Sequence, residues 1–236
     1  MDRETDVDRL YALLDRLEDR VGGKQYLADC NGRMDWPERG IYLFFAPDET
    51  RASTDRRRIT RIGTHAVSSE SGTTLWNRLI AHRGTFRGKY ADGGNHRGSV
   101  FRLRVGEAMI ERDGLHEEYP EWGVGSSVGS DIREQELAHE RRVSEYIRGM
   151  PFLWVKVDDE PGPDSRRATL EQNLIALVSN YGKPSVDPRD TSWLGTHSPS
   201  RAIRESGLWN VNHVGESYQP SFLDTLERHI ERTNPI

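Results

Sequence analysis

A carboxylate stands where the helical period calls for an apolar side chain. In "TLEQNLIALV", a rotation of about 100° per residue gathers Leu170, Leu174, Ile175, Leu177 and Val178 into one arc, and Glu171 falls inside it. A carboxylate turned toward a half-buried face is costly unless a cation, an arginine or hydrogen-bond donors meet it. The same residue also reads as a solvent-near acid early in its helix, favoured by the helix dipole. A second segment, "TTLWNRLIAHRG", turns Leu75, Trp76, Leu79 and Ile80 inward and projects Arg78 and His82, four apart, at one edge of that side. An arginine beside an imidazole suits a phosphate, and it is equally an ordinary surface pair. The third candidate is Tyr42 in "GIYLFF", a lone hydroxyl in an apolar run.

Other chemistries find no footing. HExxH and GxxxxGK[ST] are absent. Cys30 is the only cysteine, which excludes an internal disulfide and a cysteine-rich zinc site. Asp158-Asp159-Glu160 has no Glu-x-Lys behind it and reads as a polar turn. His213, in "LWNVNHVGE", is expected to serve packing in a structured loop. No apolar run approaches the roughly 20 residues of a membrane span. The acidic opening "MDRETDVD" is unlike a signal or transit peptide, so a reducing, cytoplasmic setting is the default expectation.

The net charge of −5 argues against a polyanionic partner, but its distribution argues the other way. Between Arg78 and Arg104 lie seven basic residues (Arg78, Arg83, Arg87, Lys89, Arg97, Arg102 and Arg104) against Asp92 alone. Arg51 to Arg61 adds five arginines against Asp55, and the compensating acids lie mostly at 107–145 and 158–164. Such segregation suits a basic face for phosphate backbones, or a solvated loop with scattered arginines; charge alone does not choose.

The elements that must position these residues follow from pattern. Helices are expected over Glu4 to Val21, from Thr73 or Thr74 through His82, over Ile132 to Ile147, Ser165 to Tyr181 and Phe222 to Thr233. Strands are expected at "GIYLFFA", "RRRITRIGT", "SVFRLRVG" and "FLWVKV". A glycine-rich basic loop, "RGTFRGKYADGGNHRG", leads into the third of these. Without an internal repeat or a low-complexity linker, residues 1–236 read as one domain.

The order "GIY", a short connection, "RIG", a helix bearing Arg78 and His82, and a much later helical Glu171 resembles the GIY-YIG nuclease superfamily. The resemblance covers Gly40 to about His82 and resumes at about Phe152 to Tyr181. It therefore implies a core of about 38–83 and 150–182, with 84–149 as an insertion. It implies an α+β fold with a small antiparallel three-stranded sheet flanked by helices, with extra helices at both ends. The implied activity is hydrolysis of phosphodiesters, in DNA more than RNA, with one divalent cation (Mg2+ or Mn2+) per site.

Residue by residue, the resemblance implies that Tyr42 positions or activates the attacking water. Arg78 and His82 would hold the phosphate, in the Arg-x-x-x-His form like the restriction-endonuclease branch, and Glu171 would hold the metal. Arg61, Arg83, Arg87, Lys89 and Arg97 would bind nucleic acid. Each role has a physical logic: a phenol of pKa about 10 needs nearby positive charge to act as a base. A hard cation with water ligands needs only one carboxylate, and an arginine offsets charge growing at phosphorus. The second motif opens with Arg61 where the family has tyrosine. Either the guanidinium binds phosphate there, or cleavage is impaired and the chain is a nucleic-acid-binding protein of the same fold. The family's asparagine beyond the glutamate has three candidates, Asn180, Asn210 and Asn212.

Overall fold

Residues 2–236 are described in a computed structural model. In chain order the elements are α1 (Arg3–Val21), β1 (Gln25–Tyr26), β2 (Gly40–Thr50), β3 (Arg57–Gly63), α2 (Leu75–Arg83), α3 (Val100–Asp113), α4 (Ser130–Gln135), α5 (Leu137–Arg148), β4 (Pro151–Lys156), α6 (Arg166–Val178), α7 (Arg201–Ser206) and α8 (Phe222–Ile230). The α+β class is as expected, and the sheet is antiparallel with order β1-β4-β2-β3. The two-residue β1, pairing with β4, makes it four-stranded rather than three-stranded.

β2 lies in the middle because it is apolar on both faces; from Ile41 to Phe45 no residue is more than 2% exposed. Register sorts the two faces. Tyr42 pairs with Gly63 and Trp154, and Phe44 with Arg61 and Phe152, so these six share one face. Leu43, Ile62 and Leu153 form part of the other. The Tyr42 face meets His82 of α2 and Phe101 of α3, and α5 packs behind them. Helices α1, α6 and α8 pack on one another across the opposite face. Residues 207–210 cover the free edge of β3: Trp209 N donates to Thr60 O (2.7 Å), and Asn210 pairs through its amide with both Ile62 N and Ile62 O.

"SVFRLRVG" is a helix, not the expected strand. Ser99 caps α3 by accepting from Arg102 N, and Phe101, Val105, Ala108 and Met109 recur at the helical period. The alternation that suggested a strand counted Arg102 as a solvent-facing residue. It is fully buried, with Arg102 Nε 3.0 Å from Glu140 Oε2 of α5. No helix among the described residues is long and apolar enough to cross a membrane.

Candidate active site

Gly40 and Gly63 explain how Tyr42 is seated. A Cβ on Gly40 would lie 2.5 Å from Val155 O, so only glycine lets β4 close against the start of β2. A Cβ on Gly63 would lie 2.1 Å from the Tyr42 hydroxyl, so the phenol lies flat across the bare Cα of its cross-strand partner. That placement carries the hydroxyl to 2.7 Å from His82 Nε2. His82 Nδ1 is in turn 2.7 Å from Ser99 Oγ, and its backbone carbonyl accepts from Arg102 Nη1 at 2.8 Å.

His82 was expected at the rim of α2, contacting phosphate. The structure corrects that role: the ring is fully buried and both of its nitrogens are engaged, so no edge remains for a phosphate. Burial, with the charges of Arg78, Arg61 and Arg102 close by, holds the imidazole neutral, well below its ordinary pKa. Arg78 is different. It is half-buried on the same helix, and its Nε is enclosed without a hydrogen-bond partner, so part of its guanidinium is unspent.

Arg61 shares the Tyr42 face, as its register with Phe44 requires. One Nη donates to Trp209 O (3.2 Å), the guanidinium lies over the Phe101 ring, and Nε has no partner. Thus the second-motif position supplies a confined positive charge in place of a hydroxyl.

Glu171 reaches this end of the sheet from the other layer. From the first turns of α6 its Oε1 accepts from Thr64 N (3.2 Å), just beyond Gly63. Burial pushes its carboxyl up, against the pull of Arg61, His213, the Thr64 N–H and Arg78. Arg61 and Arg78 bear on both His82 and Glu171 electrostatically, and Thr64, whose N–H holds Glu171, directly follows Gly63, the cross-strand partner of Tyr42. The charged arc position of Glu171 thus has a backbone donor, and the charge of Arg61 and Arg78 offsets part of its burial.

Sequence reasoning missed two neighbours. His213 adopts a left-handed backbone (φ 63°), and its Nδ1 lies 2.9 Å from Glu216 Oε1. Glu216 Oε2 accepts from Gln172, the residue after Glu171, so this loop histidine is tied to the site's helix. Ser99 was read only as the opening of a strand; as an N-cap three residues before an arginine it carried a local signal. Of the asparagine candidates, Asn180 holds Arg3, Val186 N and Asp187 O at the far end of α6, and Asn210 is occupied by β3. Asn212 is exposed, next to His213.

The basic loop is largely consumed inside the molecule. Arg97 forks onto Glu136, both side chains under 5% exposed, which corrects its expected place on a phosphate-gripping face. Arg83 donates to Cys30 O (2.7 Å) and lies over the Trp76 and Phe86 rings. Lys89 is exposed and pairs with Glu134; Arg87 is exposed. The acidic run serves the fold as well. Asp159 takes the backbone N–H and guanidinium of buried Arg167, which also holds the carbonyls of His65 and Ala66.

No group of three or more His, Cys, Asp or Glu among the described residues could hold a metal ion. What fits a hard cation here is Glu171 alone. It is a half-buried carboxylate with one oxygen on a backbone N–H, so water and substrate oxygens would have to complete the shell.

The family model described as "GIY-YIG domain" matches residues 1–236. No curated protein and no solved structure matches the chain. The match spans residues 84–149 as well as the core: this chain belongs to the GIY-YIG family.

Proposed function

We propose that this chain is a metal-dependent endonuclease that hydrolyses DNA phosphodiesters at the Tyr42–Glu171 end of the sheet. Family membership supports a nuclease-type activity on nucleic acid in general. The observation that carries the finer reading is the Tyr42 hydroxyl on His82 Nε2, with the two arginines Arg61 and Arg78 charging both that pair and Glu171. Tyr42 orients the attacking water and takes its proton. Arg78, with its unpartnered Nε, and Arg61 hold the phosphate and offset the charge that grows on its oxygens. Glu171 would hold one Mg2+ or Mn2+, which supplies Lewis-acid charge at the phosphate when bound. Arg87 and Lys89 are the loop residues left to touch a backbone at the surface.

The test is a panel of labelled DNA and RNA duplexes, flaps and single strands, incubated with Mg2+ and with Mn2+. Tyr42→Phe and Glu171→Ala should each abolish cleavage while binding in EDTA survives. A second reading, a nucleic-acid-binding protein without catalysis, is favoured by the complete burial of Tyr42 and by Arg61 at the tyrosine position. Salt-dependent binding with no nicking of any substrate would select it. No binding at low salt would remove both.

A further inference from the structure

Among the described residues five arginines are buried, and four of them face a carboxylate. Arg51 pairs with Asp187, Arg58 with Glu49, Arg102 with Glu140 and Arg167 with Asp159. Arg61 is the fifth, 8% exposed, and no carboxylate among the described residues comes within ion-pair distance of it. Its one hydrogen bond runs to Trp209 O; Nε has no partner, and the second Nη is neither bonded nor enclosed. Arg78, half-buried, has no side-chain hydrogen bond or ion pair among the described residues. Its Nε is enclosed without a partner, and both Nη atoms reach the surface.

These two guanidinium groups border the same pair of rings. Arg61 lies 5.6 Å from the centroid of Phe101, and that ring is 5.4 Å from His82. Arg78 precedes His82 by one turn of α2. Glu171 is bonded to Thr64 N and lies beyond ion-pair distance of both arginines. We propose that Arg61 and Arg78 form an anion site for a terminal phosphate, so that this chain binds nucleic acid ending in a phosphomonoester in preference to a hydroxyl end. That the anion belongs to a nucleic acid rests on the nuclease reading; the anion site itself does not.

Charge and oxygen count select this ligand. A buried charge without a counter-charge is costly, and the other four buried arginines show how this fold answers it, with one carboxylate each. Two guanidinium groups call for two negative charges. An internal phosphodiester carries one, on two non-bridging oxygens. A phosphomonoester carries about −1.5 to −2 at pH 7 and presents three acceptor oxygens. An arginine fork engages a phosphate through two parallel N–H···O bonds, so a third oxygen lets each guanidinium hold one that the other does not. His82 does not compete for the anion, since both of its ring nitrogens are engaged. Hydrolysis of a diester leaves a phosphate end of this kind, so the site would also retain its own product.

The test is equilibrium binding in EDTA of one labelled oligonucleotide made with a 5′-phosphate, with a 3′-phosphate, or with hydroxyls at both ends. A phosphate end should bind at least about tenfold tighter than the hydroxyl form, the worth of one charge-assisted hydrogen bond. Whether the 5′ or the 3′ form does so fixes the polarity of the bound strand. Arg61→Gln should remove the preference, and Arg61→Lys, which keeps the charge without the fork, should keep part of it. The control is Arg87→Gln in the exposed loop, which should weaken all three forms alike and leave the preference in place. Equal affinity of wild type for the three forms would overturn the proposal without any variant. An unchanged preference in folded Arg61→Gln would overturn the role of Arg61. If the phosphate end is preferred but nothing is cleaved with Mg2+ or Mn2+, the nuclease reading falls and the anion site stands. If cleavage occurs without the preference, the anion site falls and the nuclease reading stands.

Discussion

Replacing Gly63 with alanine would place a methyl carbon 2.1 Å from the Tyr42 oxygen and 2.3 Å from Cζ. The phenol cannot yield easily, because it is fully buried, edge-on to Phe44 at 5.7 Å and to His82 at 5.3 Å. Overpacking of this kind costs about 1–3 kcal/mol. Moving the hydroxyl off His82 leaves two buried polar atoms unmatched, a further ~1–3 kcal/mol. Gly63→Ala should therefore lose about 2–6 kcal/mol, a drop of roughly 0.7–2 M in urea midpoint for a slope near 3 kcal/mol per molar. The control is Gly72→Ala, which meets nothing within 4 Å and should stay within about 0.5 kcal/mol of wild type. Cleavage should fall at least about a hundredfold in the folded fraction, since the displaced oxygen no longer addresses the water. The double variant with Tyr42→Phe should be less destabilised than the sum of the singles, because the closest clash is with the deleted oxygen. If Gly63→Ala matches Gly72→Ala in urea, the packing argument for this glycine is wrong.

Arg102→Met alone strands Glu140 in the interior and should cost about 3–5 kcal/mol in chemical denaturation. Adding Glu140→Leu should recover part of that. Stability should decline as the solution is acidified from about pH 6.5. His65 is pushed by burial and the charges of Arg167, Arg39 and Arg78 down to about 4, so the unfolded chain binds its proton first. Glu140 extends the loss. Burial raises it, but the hydrogen bonds and charge of His96 and Arg102 prevail and hold it at about 2, so its contribution fades between its ordinary pKa and that value. Denaturation midpoints at pH 7, 5 and 4 check the sign, and His65→Gln should flatten the upper part of the curve. Glu171→Gln should abolish metal-dependent cleavage yet raise stability at neutral pH by about 0.5–2 kcal/mol. Burial lifts the carboxyl pKa, so its ionised form opposes folding there, and the amide oxygen can still accept from Thr64 N.

Much of this was legible because it is local. The apolar stripe of α1 with its Gly22 cap, the doubly buried β2, the Thr74 and Ser165 caps and the inward arc of Glu171 each depend on neighbours within a turn or a strand. Phe44 sharing the Tyr42 face follows from the period of two, and the pairing register bears it out. What failed was charge. The basic stretch up to Arg104 and the acidic stretch after it read as segregated faces, yet Arg97–Glu136, Arg102–Glu140, Lys89–Glu134 and Arg104–Glu107 neutralise each other in space. Arg51 with Asp187 and Arg58 with Glu49 do the same around β3.

The sequence by itself determined helices α1, α2, α5, α6 and α8, the three main strands and a short set of chemical side chains, because hydrophobic period and capping act over a few residues. Only the tertiary structure decided what those side chains do. Arg102 became a core residue because Glu140 stands 38 positions away, and His82 became the buried partner of Tyr42 because α3 delivers Ser99 behind it. Burial and the identity of a charge's partner set its chemistry, and both are properties of chains meeting at a distance.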